Sequence, residues 1–385
     1  MFCNEKFKIV FYILMLAQSS SYIKTEDLAL QYEVQEKIKK GIPQWMLNQI
    51  KKDLSYVPKS GITKDMMSRT LEQDPMHLVL FKIKNGTIAV EYNNQMEMRW
   101  QNFTCDPIIA ALSELSTYIT LPDVEFVFSL DDAPFNWFGS GKTGTLIEPS
   151  TYRAPIFSAC KIPEDVNVIL VPDSHTLSSI KNNVIQEIAL GNTTFRWDTK
   201  KNMAFWRGAT TGGRFKLNNF EQFPRTKLAK LSVEFPKVLD AKFTFFWGID
   251  DDETKNKLKE LYYLAETTSI SDHIQYKYQI LIDGNSASWP RAYWQYQCNS
   301  VVFKQNSPYI VWHNDLFKPW VHYIPFNHNC DDLIDKIKWA INNDDNAQRI
   351  AHNANEIANA CLKHSDILVY IYAAINEYAK LQASD

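Results

Sequence analysis

The sequence predicts an α/β protein of two domains, with parallel sheets and crossover helices. Three observations carry this prediction. From about residue 105 onward, short apolar runs at 124–130, 166–171, 203–206, 278–282 and 300–303 alternate with helical stretches, the pattern of parallel strands joined by helices. Most of these runs end in turn residues: Asp131-Asp132, Pro172-Asp173, Gly208 and Asp283-Gly284. The chain has 385 residues, and at about 150 residues per domain that length supports two.

The remaining elements read as follows. Residues 24–75 are helical and polar, with Pro43 opening a helix that carries Trp45, Met46, Ile50 and Leu54 on one face. Residues 77–84 and 87–92 flank Asn85-Gly86, a pair that tolerates the positive φ of a two-residue hairpin turn. Residues 108–121 read as a helix. Ala347, Ile350, Ala351, Ala354, Ile357, Ala358 and Cys361 recur at three and four spacing, one apolar helical stripe. A last helix spans about 365–380. The domain boundary falls near Lys200-Lys201.

The N-terminus has a weakly basic start, an apolar run at 9–17 and then small polar residues. This fits a secretory signal peptide over 1–21, with a first strand or helix as the alternative. Composition is that of an ordinary globular protein: 45% apolar, 22% charged, net charge −3. No basic stripe runs along the chain, which argues against a nucleic-acid partner. Six cysteines, at 3, 105, 160, 298, 330 and 361, form no C-x-x-C pair and no disulfide framework. Sequons occur at Asn85, Asn102 and Asn192. The eight histidines show no metal-ligand spacing.

In open α/β sheets ligands bind beyond the carboxyl ends of strands, so the residues there are the informative ones. At Asp131-Asp132 a carboxylate could serve as a general base; the plain alternative is a solvated turn or helix cap. The adjacent pair is a poor metal motif because neighbouring carboxylates point different ways. In residues 205–214, FWRGATTGGR, small residues admit backbone N–H groups to phosphate oxygens, and Arg207 and Arg214 could fork onto a diphosphate. The alternative is a surface turn. In residues 283–291, DGNSASWPR, Ser286 and Ser288 are candidate caps of a helix opening at Pro290. That helix start, with Arg291, is a seat for a pyrophosphate; simple capping is the alternative. Asp250-Asp251-Asp252 reads as a solvated helix start.

Together these segments resemble the protein O-glucosyltransferase (Rumi), capsule-associated and lipopolysaccharide-modifying family, glycosyltransferase family 90. The resemblance runs from about His77 to Leu362. It is densest at 205–214, 277–305 and KPWVHYIPF (318–326), with 123–134 and 154–161 resembling the N-terminal core. It implies a GT-B-like fold, two Rossmann-type domains with a donor cleft between them. It also implies inversion at the sugar carbon with no essential metal or other cofactor. By position, Asp132 matches the catalytic base. Arg207, Gly208, Thr210 and Thr211 match the donor loop, Arg214 its fungal-type version, and Ser288 and Arg291 donor-phosphate positions. Cys298 matches a usually bridged cysteine whose partner region, 271–278, holds none. Asp131 stands where animal members carry a basic residue.

The functional expectation is a UDP-sugar glycosyltransferase, glucose or xylose being the sugar, acting on a protein Ser or on a glycan such as lipopolysaccharide or capsule. The alternative is a catalytically silent glycan- or nucleotide-binding protein. Expected bounds are 22–200 for the acceptor-side domain, 201–362 for the UDP-sugar domain and 363–385 for a C-terminal helix. Expected partners are a UDP-sugar and a glycan or protein acceptor, with peripheral membrane association. The expected location is the secretory pathway or cell envelope, or the cytoplasmic face of a bacterial membrane.

Overall fold

The computed structural model describes residues 7–11, 25–93, 101–132, 153–262 and 264–383. Its strands fall into two sheets. The first contains Phe7–Phe11 (β1), Leu78–Lys84 (β2), Thr87–Asn93 (β3), Val124–Ser129 (β4), Ile156–Ser158 (β5) and Val168–Leu170 (β6), in the order β1-β3-β2-β4-β5-β6. The second contains Lys201–Ala209 (β7), Leu239–Phe245 (β8), Tyr276–Leu281 (β9), Val301–Gln305 (β10) and Ile324–Phe326 (β11), in the order β11-β10-β9-β7-β8.

The predicted hairpin forms as β2 and β3. Asn85 and Gly86 both take positive φ, 49° and 75°, as a right-twisted two-residue turn requires. The hairpin makes the first sheet mixed. β4, β5 and β6 run parallel, while β2 is antiparallel to β4 and to β3. Only part of this sheet therefore has the expected parallel pattern, because a two-residue turn joins only antiparallel neighbours. Within the segment read as a signal peptide, Phe7–Phe11 pairs antiparallel with β3; residues 12–21 lie outside the described ones.

The second sheet is parallel throughout. Counted from β7, its order is 2-1-3-4-5, a doubly wound arrangement. The chain leaves β7 toward β8 on one side and returns to β9 on the other. The order therefore reverses between β7 and β9, the kind of switch point beyond whose carboxyl ends such sheets bind ligands. Lys200, at the anticipated boundary, is buried, and its ammonium donates to the Ile274 carbonyl and the Ser300 hydroxyl.

Three strands lie outside the predicted set: β5, β8 and β11. β5 and β11 have three residues each, too few to show a period. β8 alternates buried and half-exposed positions, with Asp240 and Lys242 on its open face, an edge pattern of only three buried residues.

The helix His364–Ala379 returns to the first sheet. Tyr378 packs edge-on to Phe157, with centroids 5.1 Å apart, and Phe157 meets Phe126 at 4.7 Å. An ion pair between Lys37 and Asp366 ties it to the helix Thr25–Lys40. Its residues from Ile367 to Ile371 are all buried, so neighbours cover it on several faces. Each large side chain so buried contributes about 1.5–3 kcal/mol. The predicted stripe on Asp344–Cys361 forms: Ala347, Ile350, Ala351, Ala354 and Ala358 are buried. Cys105, Cys160, Cys298, Cys330 and Cys361 are free thiols.

Candidate active site

The carboxyl ends of strands from both sheets meet at one place. β4 delivers Asp131 and Asp132, β6 leads to Asp173 and the helix Ser174–Lys181, β7 runs into 209–214, and β9 into 283–288 and the helix Trp289–Tyr296.

Asp131 and Asp132 point apart, as adjacent residues leaving a strand do. Asp131 faces back into the first sheet beside His77. Burial pushes its carboxyl up to about 7, against the pull of His77 and with added repulsion from Asp74 and Asp132. Asp132 faces the second sheet and lies beside the Asn285 side chain. Burial raises its pKa above the ordinary carboxylate range, while Asn285 and the nearby His175 pull it down. A half-buried carboxylate made more basic suits proton abstraction.

Asn285 is the joint between the domains. Its Oδ1 accepts from Gly212 N–H at 3.0 Å. Gly212 has φ +101°, and a Cβ there would lie 3.1 Å from the Gly284 carbonyl, so only glycine lets the two loops approach this closely. His175 stacks on Trp289 across the same junction, with centroids 6.0 Å apart.

The predicted phosphate ligands divide into two groups. Arg207 is already engaged: both terminal nitrogens bind the Asp240 carboxylate, at 2.9 and 2.8 Å, and the guanidinium lies over Phe205. The neighbouring parallel strand brings Asp240 within reach of Arg207, so its terminal nitrogens are held there. Thr210 is held by backbone. It is fully buried; its hydroxyl donates to Trp247 O at 2.8 Å and accepts from Trp247 N–H at 2.7 Å. Gly208 lies in β7 with Trp206 packed where a Cβ would stand. Its role is packing.

Thr211 places its hydroxyl against Gly284, in the crevice. Arg214 is exposed, with a loose pair to Asp250 at 3.3 Å. Ser288 caps no backbone N–H of the following helix; its hydroxyl donates to Ile282 O at 2.6 Å. Arg291, in the first turn of that helix, donates to Arg207 O at 2.6 Å, while its Nη1 is buried without a hydrogen-bond partner. Burial lowers its pKa to about 10. Arg207 Nε is likewise buried without a partner, so both cations keep a donor in reserve. Asp250–Asp252 is a helix start: Asp251 accepts from Thr254 N–H at 2.7 Å.

Sequence reasoning missed Arg225, from the first turn of the helix Pro224–Glu234. It is 9% exposed and donates to the carbonyls of Ala209, Ile282 and Asp283. It thus ties the ends of β7 and β9 together at the switch point. Burial, then repulsion from Arg291, lowers its pKa to about 9. Nothing local marks it, since Phe-Pro-Arg-Thr reads as any helix start. The same positive neighbourhood, after burial itself, drives His273 down to about 3.

Fold and site together define a two-domain α/β protein with a crevice at a parallel-sheet switch point, a carboxylate on one wall and buried arginines on the other. The chain belongs to glycosyl transferase family 90, whose model matches residues 41–385. It is 32% identical over 277 residues to protein O-glucosyltransferase 3 of Mus musculus, covering 71% of this chain and 50% of that protein. It is 32% identical over 282 residues to protein O-glucosyltransferase 2 of Danio rerio, covering 71% and 51%. The chain thus spans about half the length of the curated relatives it matches. Among solved structures, TarM is a remote likeness, with a TM-score of 0.34 and 15% identity over 46% of this chain and 36% of that one.

Proposed function

We propose that the chain transfers a sugar from a UDP-sugar to an acceptor hydroxyl, with inversion. The observation that carries this reading is Asn285, whose Oδ1 accepts from Gly212 N–H of the donor loop while its side chain lies beside the Asp132 carboxylate. One side chain thus sets the spacing between base and donor loop. Asp132 takes the acceptor O–H proton as the oxygen attacks the anomeric carbon from the face opposite the diphosphate. The bond from that carbon to the diphosphate oxygen breaks, and its electron pair leaves with UDP. Arg291, with its spare Nη1 donor, and the N-terminus of its helix meet the developing charge. Arg214 and Thr211 reach the same diphosphate from the opposite loop. Arg207 and Arg225 hold the loops in place.

The donor sugar in this proposal is glucose or xylose, and the acceptor a protein Ser or a glycan hydroxyl. The names of the relatives support the glucose and protein choices. Cationic side chains at the leaving group support turnover with no divalent cation on the diphosphate. The proposed compartment is the secretory pathway or cell envelope, on the strength of the apolar N-terminal run. Membrane association in this reading is peripheral: among the described residues no helix is long and apolar enough to cross a membrane.

The test is UDP release by the purified full chain across a panel of UDP-sugars, with serine peptides and glycans as acceptors and no added Mg²⁺ or Mn²⁺. Release from UDP-glucose or UDP-xylose that Asp132→Asn abolishes, with UDP binding retained, supports the proposal. Absence of both release and UDP binding sinks it. UDP binding with no release on any acceptor makes the chain a silent binding protein.

A further inference from the structure

We propose that Asp74, His77 and Asp131 form a three-ligand site for a divalent transition cation, zinc foremost, in the wall behind Asp132. The fold brings these residues together from separate segments. Asp74 lies in the turn before β2, where its carbonyl accepts from His77 and Leu78 N–H. His77 immediately precedes β2, and Asp131 lies two residues beyond the end of β4. Antiparallel pairing of Leu78 with Ser129, and the bond from Leu130 N–H to His77 O at 2.8 Å, set Asp131 beside His77.

The ligand atoms are clustered closely enough for an ion to enter once the hydrogen bond between His77 Nδ1 and Asp74 opens. Asp74 Oδ1 is 2.7 Å and Asp131 Oδ2 is 3.8 Å from His77 Nδ1, and all three atoms lie within 4.8 Å of one another. Atoms about 2.0–2.2 Å from a shared Zn²⁺ stand about 3–4 Å apart in tetrahedral geometry. The cation takes the place of the hydrogen bond between Nδ1 and Asp74.

The second observation is independent of that geometry. Asp131 is 8% exposed, and its Oδ2 is buried without a hydrogen-bond partner, aimed at His77. A carboxylate oxygen shut away from water with no hydrogen bond, and with His77 as far as 3.8 Å, is unfavourable, and a cation satisfies it. The donor set selects the ion. One imidazole and two carboxylates suit zinc and its neighbours, whereas Ca²⁺ and Mg²⁺ take oxygen throughout. Asp74 is the most exposed of the three ligands, leaving a side open for a fourth, such as water.

The site lies on the first sheet, away from the arginines of the second. Asp131 is covalently adjacent to Asp132, so an ion that pins Asp131 pins the end of β4.

The experiment loads the full chain with ZnCl₂, removes loose metal by desalting and measures zinc per chain. Binding of Co²⁺ is followed in parallel by its visible absorption. About one zinc per chain and a Co²⁺ spectrum are expected, with at least tenfold weaker binding in His77→Gln and in Asp131→Asn. Asp250→Asn, a surface control, should bind as the wild type does. Asp74→Asn, at the most exposed ligand, carries the test if a core variant fails to fold. A wild-type chain that retains no zinc and develops no Co²⁺ spectrum overturns the proposal, leaving His77 an ion-pair partner only. So does zinc that stays bound in every variant. Neither readout requires sugar transfer, so this result and that of the transfer assay are separate.

Discussion

Around Asp132 the first sheet buries acids, and around Arg291 the second buries arginines with Asp283 among them. Asp131 and Asp132 are both held above the ordinary carboxylate range by burial, so each takes up a proton readily. Across the crevice Arg225 and Arg291 lose some of their basicity to burial and His273 is held neutral. In the transfer proposed above, the first wall takes a proton and the second receives an anion, and displacement at a sugar carbon needs both at once.

Five changes would break or sharpen that contrast. The largest effect should come from Asp132→Asn, which removes the base and leaves the positive wall intact. Turnover in the UDP-release assay should fall about 10²–10⁴-fold, the usual worth of a general base. UDP affinity by calorimetry should hold. Equal loss of both would mean that Asp132 shapes the donor site instead.

Arg225→Met keeps the contact with Trp206 but strands three buried carbonyls. Denaturant unfolding should show a loss of about 3–5 kcal/mol. A loss below about 1 kcal/mol would show that solvent reaches the switch point after all.

Asn285→Ala severs the link between the walls. A hydrogen bond to a charged group contributes about 1.5–3 kcal/mol, so turnover should drop roughly ten- to a hundredfold. The pH-rate profile should also move, its acid limb shifting upward as Asp132 loses a neighbour that favours its charged form.

His273→Gln probes the positive field itself. The folded value of His273 is about 3 against an ordinary 6.5, so between those limits the unfolded chain binds the extra proton. Stability is therefore lost as pH falls from 6.5 toward 3, at up to about 1.4 kcal/mol per pH unit from this group. The variant should flatten the slope of unfolding free energy over that window. An unchanged slope would place the acid sensitivity elsewhere.

Arg214→Ala should have the smallest effect on stability, under about 0.5 kcal/mol, because its pair with Asp250 is exposed. Its effect should appear instead as a raised KM for the UDP-sugar. An unchanged KM would leave the anion wall to Arg291 and its helix.

The crevice was legible because strand ends in α/β proteins are marked by turn residues. Asp132 and Arg291 each follow an apolar run closely, and both lie in the crevice. Arg207 and Thr210 carried the same signal and are held by other groups. What separates them is the neighbouring strand: Asp240 of β8 occupies Arg207, and the Trp247 backbone occupies Thr210. Neither partner is close in sequence. Arg225 was invisible for the converse reason, since its carbonyl partners come from two distant loops.

By itself the sequence determined the period of each long element, the hairpin turn at Asn85-Gly86 and the residues at the strand ends. These depend on neighbours a few positions apart, through side-chain alternation and allowed φ. Only the tertiary structure decided which of those residues are engaged and which are available. It also decided that β2 and β4 set His77 beside Asp131, and that Asn285 spans the two sheets. Those outcomes depend on which strands pair and how deeply each group is buried, and no local pattern in the chain encodes either.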